Sequence, residues 1–312
     1  LAKWAAIPFS WSLRAFLQIV EWSAQLPGGY GETPSPALGW MIGFYLLLLG
    51  IVWVRSAGIR RWIWRGTALW TLGWLFVGAC WPAEQRSLRC TFLDVGHGEA
   101  VLLEFPNGQT LLYDCGSLGD GRQAARAVQS LLRERQSGQI DALVISHADA
   151  DHYNGGIDLL SQTRVGVTLL SKHCLDFEQE GLAELFDALS QHGGRIRLIQ
   201  AGDHLRIDPQ TEVEVLHPRP AVNDQFDNAN SVVLRVAYRG KSILLTGDIE
   251  KQGARDLIRL PIPPVDVLMA PHHGGKTANS SDLENWAQPR HVIASSGGDV
   301  NETLRNIYRR SQ

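Results

Sequence analysis

Hydrophobic positions follow two different patterns along this chain. Ala37 to Val54 (ALGWMIGFYLLLLGIVWV) contains eighteen residues without a charge, which as a helix would be about 27 Å long, against a hydrocarbon core of about 30 Å. Gly66 to Pro82 (GTALWTLGWLFVGACWP) is equally free of charge and slightly shorter, and it holds Trp70, Trp74 and Trp81, the last at the position of an interfacial belt. The pattern predicts two transmembrane helices over 37–86. Between the two runs, RSAGIRRWIWR carries Arg55, Arg60, Arg61 and Arg65 and no acid. A short basic loop is retained on the cytoplasmic side, which places everything after it on the outer face of the cytoplasmic membrane of a multi-pass protein. Residues 1–36 have no signal-peptide layout; their mixed Trp, Phe, Leu, Lys and Glu suit an amphipathic, interfacial segment, followed by the helix-breaking linker PGGYGETPSP.

From Ser87 the period changes. Short apolar runs bounded by Gly, Asn and Pro (CTFLDV, AVLLEF, TLLYDC, DALVIS, RIRLIQ, TEVEVLHP, SVVLRVAY, SILLTGD, VDVLMA) predict about nine strands. Helical stretches over Arg122–Gln136 and Gln179–His192 are interspersed, the second stopped by Gly193 and Gly194. Strands and helices in that number fit two sheets faced by helices, in a single domain over 87–312.

Composition sharpens the division. Ten of the eleven tryptophans precede residue 82 and all ten histidines follow residue 96. Up to Arg86 there are 7 Lys and Arg against 3 Asp and Glu; from Ser87 there are 22 against 29, a balance of −7. One piece is built for lipid and the other for water. The four cysteines have no paired spacing that argues for a zinc or disulfide framework, so they read as small apolar fillers, with a single disulfide left open. Leu1 in the place of an initiator methionine is expected of a fragment of a longer chain.

The candidate chemistry lies where strands end. DALVIS runs into His147-Ala-Asp149-Ala-Asp151-His152, four potential ligands within six residues, and a tight turn can aim them toward two adjacent cations. SILLTGD places Asp248 after an apolar strand and a glycine, where a carboxylate can give one oxygen to each of two metals. VDVLMAPHHGG ends in His272 and His273. Apolar strand, short turn, ligand: the arrangement occurs three times.

The order DVG, HxDxDH, LHP, GD, PHHG resembles the metallo-β-lactamase superfamily, whose fold is an αββα sandwich, of α+β class, with a binuclear metal site at one edge. More narrowly, DVGHGEA (94–100), YDCG (113–116), NANS (228–231), LLTGDIE (244–250) and APHHGGKT (270–277) resemble the C-terminal domain of the ComEC competence family, channels that take up transforming DNA. In that family this domain follows a multi-span membrane region. The resemblance implies His147 and Asp149 on a first metal, Asp151 and His152 on a second, Asp248 bridging, and His273 as the last ligand beside a neighbouring His272. It leaves His217 of LHP open between completing the first site and being an ordinary surface histidine, and it implies Asp94 as a carboxylate bracing the ligand turn. Two departures stand out. An aspartate occupies position 149 where many members have histidine, and an oxygen ligand there shifts preference from zinc toward manganese or magnesium. The expected Gly-His-Pro after an Asn is missing near Asn301.

Two divalent cations, manganese or zinc with magnesium also open, would lower the pKa of a water and stabilise both oxygens of an in-line displacement. The expectation is a membrane-tethered, metal-dependent phosphodiesterase, a deoxyribonuclease degrading the non-transported strand of incoming DNA, with Asp151 and Asp248 essential. Lys276 and the amides of Gly274 and Gly275 would face the phosphate. Single-stranded DNA, membrane lipid and the rest of the uptake machinery are the partners implied. An inactive DNA-guiding domain and an esterase for another phosphodiester are the alternatives.

Overall fold

A computed structural model of the protein describes residues 14, 17–18, 38–80, 87–135, 137–176, 180–219, 227–298 and 302–309. The chain divides into two compact units, residues 1–82 and 83–312.

In the first unit, α1 (Leu38–Trp53) and α2 (Ala57–Cys80) pair as a hairpin. The rings of Trp40 and Trp70 lie 4.4 Å apart, and the Trp70 indole N–H donates to the Trp40 carbonyl at 3.2 Å. The basic stretch predicted as a loop is helical: only Val54–Ser56 turns, and Arg60, Arg61 and Arg65 sit on the first turns of α2. Arginine is a good helix former and no proline interrupts the run, so charge alone does not break the helix. α1 has 16 residues and α2 carries those arginines; among the described residues no helix is long and apolar enough to cross a membrane. Most of residues 1–36, and Trp81, lie outside the described residues.

The second unit holds two sheets. The first contains β1 (Arg89–Phe92), β2 (Val101–Glu104), β3 (Thr110–Tyr113), β4 (Gln139–Ile145), β5 (Arg164–Leu170) and β6 (Arg195–Leu198), side by side in that order. β1 to β3 form an antiparallel meander, and β3 to β6 run parallel. The second sheet has the order β11-β10-β9-β8-β7, formed by β7 (Thr211–His217), β8 (Val233–Tyr238), β9 (Lys241–Leu245), β10 (Val267–Met269) and β11 (His291–Ile293). It repeats the scheme, with antiparallel pairing from β7 to β9 and parallel pairing from β9 to β11. Eleven strands are thus described where nine were expected. β5 and the three-residue β11 are the additions.

Alternation along each strand builds the layers. Val101, Leu103, Leu111, Tyr113 and Val144 face the other sheet and meet Val213, Val215, Leu234, Val236 and Leu245. Their neighbours Leu102, Leu112, Leu143 and Ile145 face outward onto α3 (Gly121–Arg135) and α4 (Glu180–Gln191) through Val128, Leu132, Leu185 and Leu189. On the far side, Val233, Leu244 and Leu268 pack under α5 (Lys251–Leu257), α6 (Ser281–Ala287) and α7 (Glu302–Ile307). Strands buried on both faces read as continuous apolar runs, which is why the central strands lack a polar alternation. The αββα order of layers matches the expected sandwich.

Candidate metal centre

Parallel strands release their C-terminal ends at one edge of a sheet, and here both sheets do so together. β3 ends into Asp114, β4 into Ser146-His147, β9 into Thr246-Gly247-Asp248, and β10 into Ala270-Pro271-His272-His273. Among the described residues three groups of ligand-type atoms result, each with its atoms within 4.8 Å of one another: His147, His152 and Asp248; His97, Asp151 and His273; and His147, Asp149 and Asp227.

At the centre, His152 is fully buried. Its Nδ1 lies 2.8 Å from the Asp114 carboxylate, which also accepts from the Ser146 amide and hydroxyl at 2.7 Å each. That fixes the ring, so Nε2 faces Asp248 Oδ1 at 3.2 Å. Asp248 presents its two oxygens to different sides: Oδ2 lies 3.6 Å from His273 Nε2 and 3.7 Å from His272 Nε2. His273 Nε2 is also 3.3 Å from Asp151. On the other flank, His147 Nε2 is 3.5 Å from Asp149, its Nδ1 engaged by the Ser146 hydroxyl at 2.9 Å.

The turn that carries His272 and His273 is backbone-strained. Both histidines and Gly274 have left-handed φ values of 50°, 53° and 81°. Two adjacent non-glycine residues in that region persist only where surroundings over-determine them. Asn279 does this by donating to the carbonyls of Pro271 and Gly275, and Tyr308 in turn donates to Asn279.

Burial and charge oppose each other at each titratable group. Burial alone would depress the pKa of His152, but the Asp248 and Asp114 carboxylates outweigh it and raise the pKa well above the ordinary histidine value. Burial would raise Asp248, and His152, His147 and His273 hold it far below the usual carboxylate range. Asp149 is lowered by the neighbouring His147 imidazole. Asp227, desolvated by burial, is pushed up to about 6.

The raised His152 pKa has a pH signature in the metal-free chain. A group protonated more readily in the folded state stabilises fully below its unfolded pKa of about 6.5, and that stability is lost as pH rises through the folded value. The Tm of the chain in chelator is therefore expected to fall as the pH rises above about 6.5. A Tm that is flat or rising there contradicts the assignment.

His147, His152, Asp248 and His273 are buried, and several of the side-chain atoms that converge make no hydrogen bond. His147 Nε2, His152 Nε2, Asp248 Oδ1 and both ring nitrogens of His273 are buried with no hydrogen bond. Such atoms are costly unless something satisfies them. Imidazole nitrogens mixed with carboxylate oxygens form a donor set suited to divalent cations, and the residues present fit such a group.

Other expectations fall elsewhere. His217 is buried, but its Nδ1 is engaged by the Ser231 carbonyl at 2.9 Å and it joins none of the three groups. Lys276 is exposed on the turn after Gly275. The Gly275 amide is occupied by the His272 carbonyl at 2.7 Å. Asp94 is exposed and accepts from the Gly96 amide two residues on, in its own turn. The brace of the ligand turn is Asp114 instead. Its signal was present in the sequence, an aspartate directly after the apolar strand TLLY, as Asp248 follows the strand SILL within three residues. Residues 299–301, where the C-terminal motif departs, lie outside the described residues.

The sandwich and the ligand-rich edge define a class. Residues 93–297 match the metallo-beta-lactamase superfamily, and the chain belongs to it. Among curated proteins it is similar to ComE operon protein 3 of Bacillus subtilis, with 24% identity over 319 residues covering 95% of this chain and 40% of the relative. Competence protein ComA of Neisseria gonorrhoeae is 27% identical over 285 residues, 90% of this chain and 36% of that one. Recombination protein 2 of Haemophilus influenzae is 30% identical over 205 residues, 66% and 24% of the two chains. The chain spans two-fifths or less of the length of these relatives.

Proposed function

We propose that this chain is the metal-dependent nuclease part of a DNA-uptake protein, hydrolysing single-stranded DNA at the edge of the sandwich. The observation that carries the reading is the convergence of buried nitrogen and oxygen atoms without hydrogen bonds from the ends of three strands, β4, β9 and β10. The names of two relatives, a competence protein and a recombination protein, support DNA as the phosphodiester. His147 and Asp149 would hold one cation, Asp151, His152 and His273 the other, and Asp248 both. When bound, the pair supplies an acidified water and charge stabilisation at a phosphoryl centre.

The protein's own residues prepare that site. Asp114 and Ser146 set the orientation of the two inner imidazoles, so Nε2 of each faces inward. Asp149, Asp151 and Asp248 are all held ionised, which repels a phosphodiester until cations neutralise them. Substrate binding is thereby made conditional on metal. The −7 balance after Ser87 gives DNA no broad attractive surface, so attraction is local to the cleft. The apolar hairpin would tether the domain to a membrane beside the rest of the uptake machinery, with the sandwich on the outer face.

The 312-residue chain in detergent, incubated with an end-labelled single-stranded oligonucleotide, is expected to cleave it in manganese, to stop in EDTA and to recover when manganese is restored. Metal bound with no cleavage of DNA would replace this reading by a DNA-guiding domain. Hydrolysis of bis(p-nitrophenyl) phosphate without cleavage of DNA would point to an esterase for a different phosphodiester.

A further inference from the structure

Resting on the binuclear reading above, we propose that Asp227 is a protein ligand of the first cation, completing a set of one imidazole and two carboxylates with His147 and Asp149. Nothing in the sequence around Asp227 marks it. It lies 75 residues beyond the HxDxDH turn, next to the NANS stretch, and no strand ends there.

Tertiary structure brings it in. Asp227 opens a short 3-10 turn (Asp227–Asn230) just before β8, and this segment is laced to the ligand turn at two points. The Ala148 amide, directly after His147, donates to Asp227 Oδ2, and the Val232 amide donates to the Ser146 carbonyl, directly before it, at 2.8 Å. With Oδ2 so engaged, Oδ1 is left buried and without a hydrogen bond. The ligand-type atoms of His147, Asp149 and Asp227 all lie within 4.8 Å of one another. His147 is 0% exposed and its Nε2 is likewise unpartnered.

Valence decides which cation His147 serves. Its Nδ1 is taken by Ser146, so Nε2 is its one free donor atom and can go to a single cation. The second position already has His152, His273 and Asp151 around Asp248, at 3.2 to 3.6 Å. The first position would have His147, Asp149 and one oxygen of Asp248, and Asp227 is the further carboxylate grouped within 4.8 Å of His147 and Asp149. His217, the histidine whose place this would have been, has turned its Nδ1 to Ser231 and is in none of the ligand groups. The two positions therefore differ in kind. The first is rich in carboxylate oxygen and suits manganese or magnesium; the second has two imidazoles and accommodates zinc as readily.

Asp227→Asn isolates the role, because asparagine keeps a carbonyl oxygen for the Ala148 amide and removes the charged ligand. Manganese bound per chain is measured by equilibrium dialysis on the full chain in detergent, with EPR as a second readout. Wild type is expected to bind two, with the broadened signal of a coupled pair. The variant is expected to hold one tightly, with the second weakened roughly tenfold or more and an isolated six-line spectrum. Two manganese bound with wild-type affinity and a coupled spectrum in the variant overturn the inference. Asp227→His covers the case in which the asparagine variant does not fold: exchanging oxygen for nitrogen should move the first position's preference from manganese toward zinc, and an unchanged preference also overturns it. A wild-type chain that binds no divalent cation at all is a separate result, and it removes the binuclear reading itself.

Discussion

Asp248→Asn is expected to lower metal-dependent hydrolysis by three orders of magnitude or more, about 4 kcal/mol of transition-state stabilisation. Asp248 shares a ligand group with His147 and His152 and also turns Oδ2 toward His272 and His273, so it borders both proposed cation positions. The amide keeps the shape of the group and loses the charge that holds His152 protonated in the metal-free state. Loss of activity should therefore come with loss of both cations, read by metal analysis, while far-UV circular dichroism stays that of the wild type. Asp151→Ala serves as the comparison: it touches only the His273 side, so it should abolish cleavage and still retain one cation. Near-normal turnover by the Asp248→Asn chain would remove this carboxylate from the centre.

The second large effect is steric. A Cβ on Gly116 would lie 2.3 Å from the carbonyl carbon of Asp151 and 2.5 Å from the His152 amide nitrogen. Both are backbone atoms of the ligand turn and neither can swing aside. The turn is also pinned there, because the Cys115 amide donates to the His152 carbonyl at 2.8 Å and the Glu99 amide to that of Asp151 at 3.2 Å. Gly116→Ala must push the strand-end segment and the ligand turn apart, at a cost of about 3 kcal/mol. For a unit of this size that lowers Tm by roughly 6–12 °C. Gly119→Ala, three residues on, meets nothing within 4 Å and should leave Tm unchanged. Equal melting temperatures for the two variants would contradict the close approach described here.

Much of the site was legible before any coordinates. The apolar runs gave the central strands because a strand buried on both faces has to be apolar throughout, and His147, Asp149, Asp151, His152, Asp248 and His273 announced themselves as polar ligand types directly after such runs. β5 was missed although VGVTLL carries the same signal, and β11 because three residues are too few to show a period. The basic stretch before Trp62 was read as a loop because charge was taken as a boundary, whereas arginines continue a helix without penalty on an exposed face.

What the letters determined is the inventory: an apolar, tryptophan-rich piece, a sandwich of apolar strands, and ligand side chains at strand ends, all properties set by local composition and period. What only the folded chain decided is which of those side chains meet. Asp114 rather than Asp94 braces His152, Asp227 rather than His217 stands beside His147, and the Gly275 amide is already spent on a carbonyl. Each outcome depends on hydrogen bonds between segments tens of residues apart, and no local pattern encodes the distance at which two strand ends emerge from a packed pair of sheets.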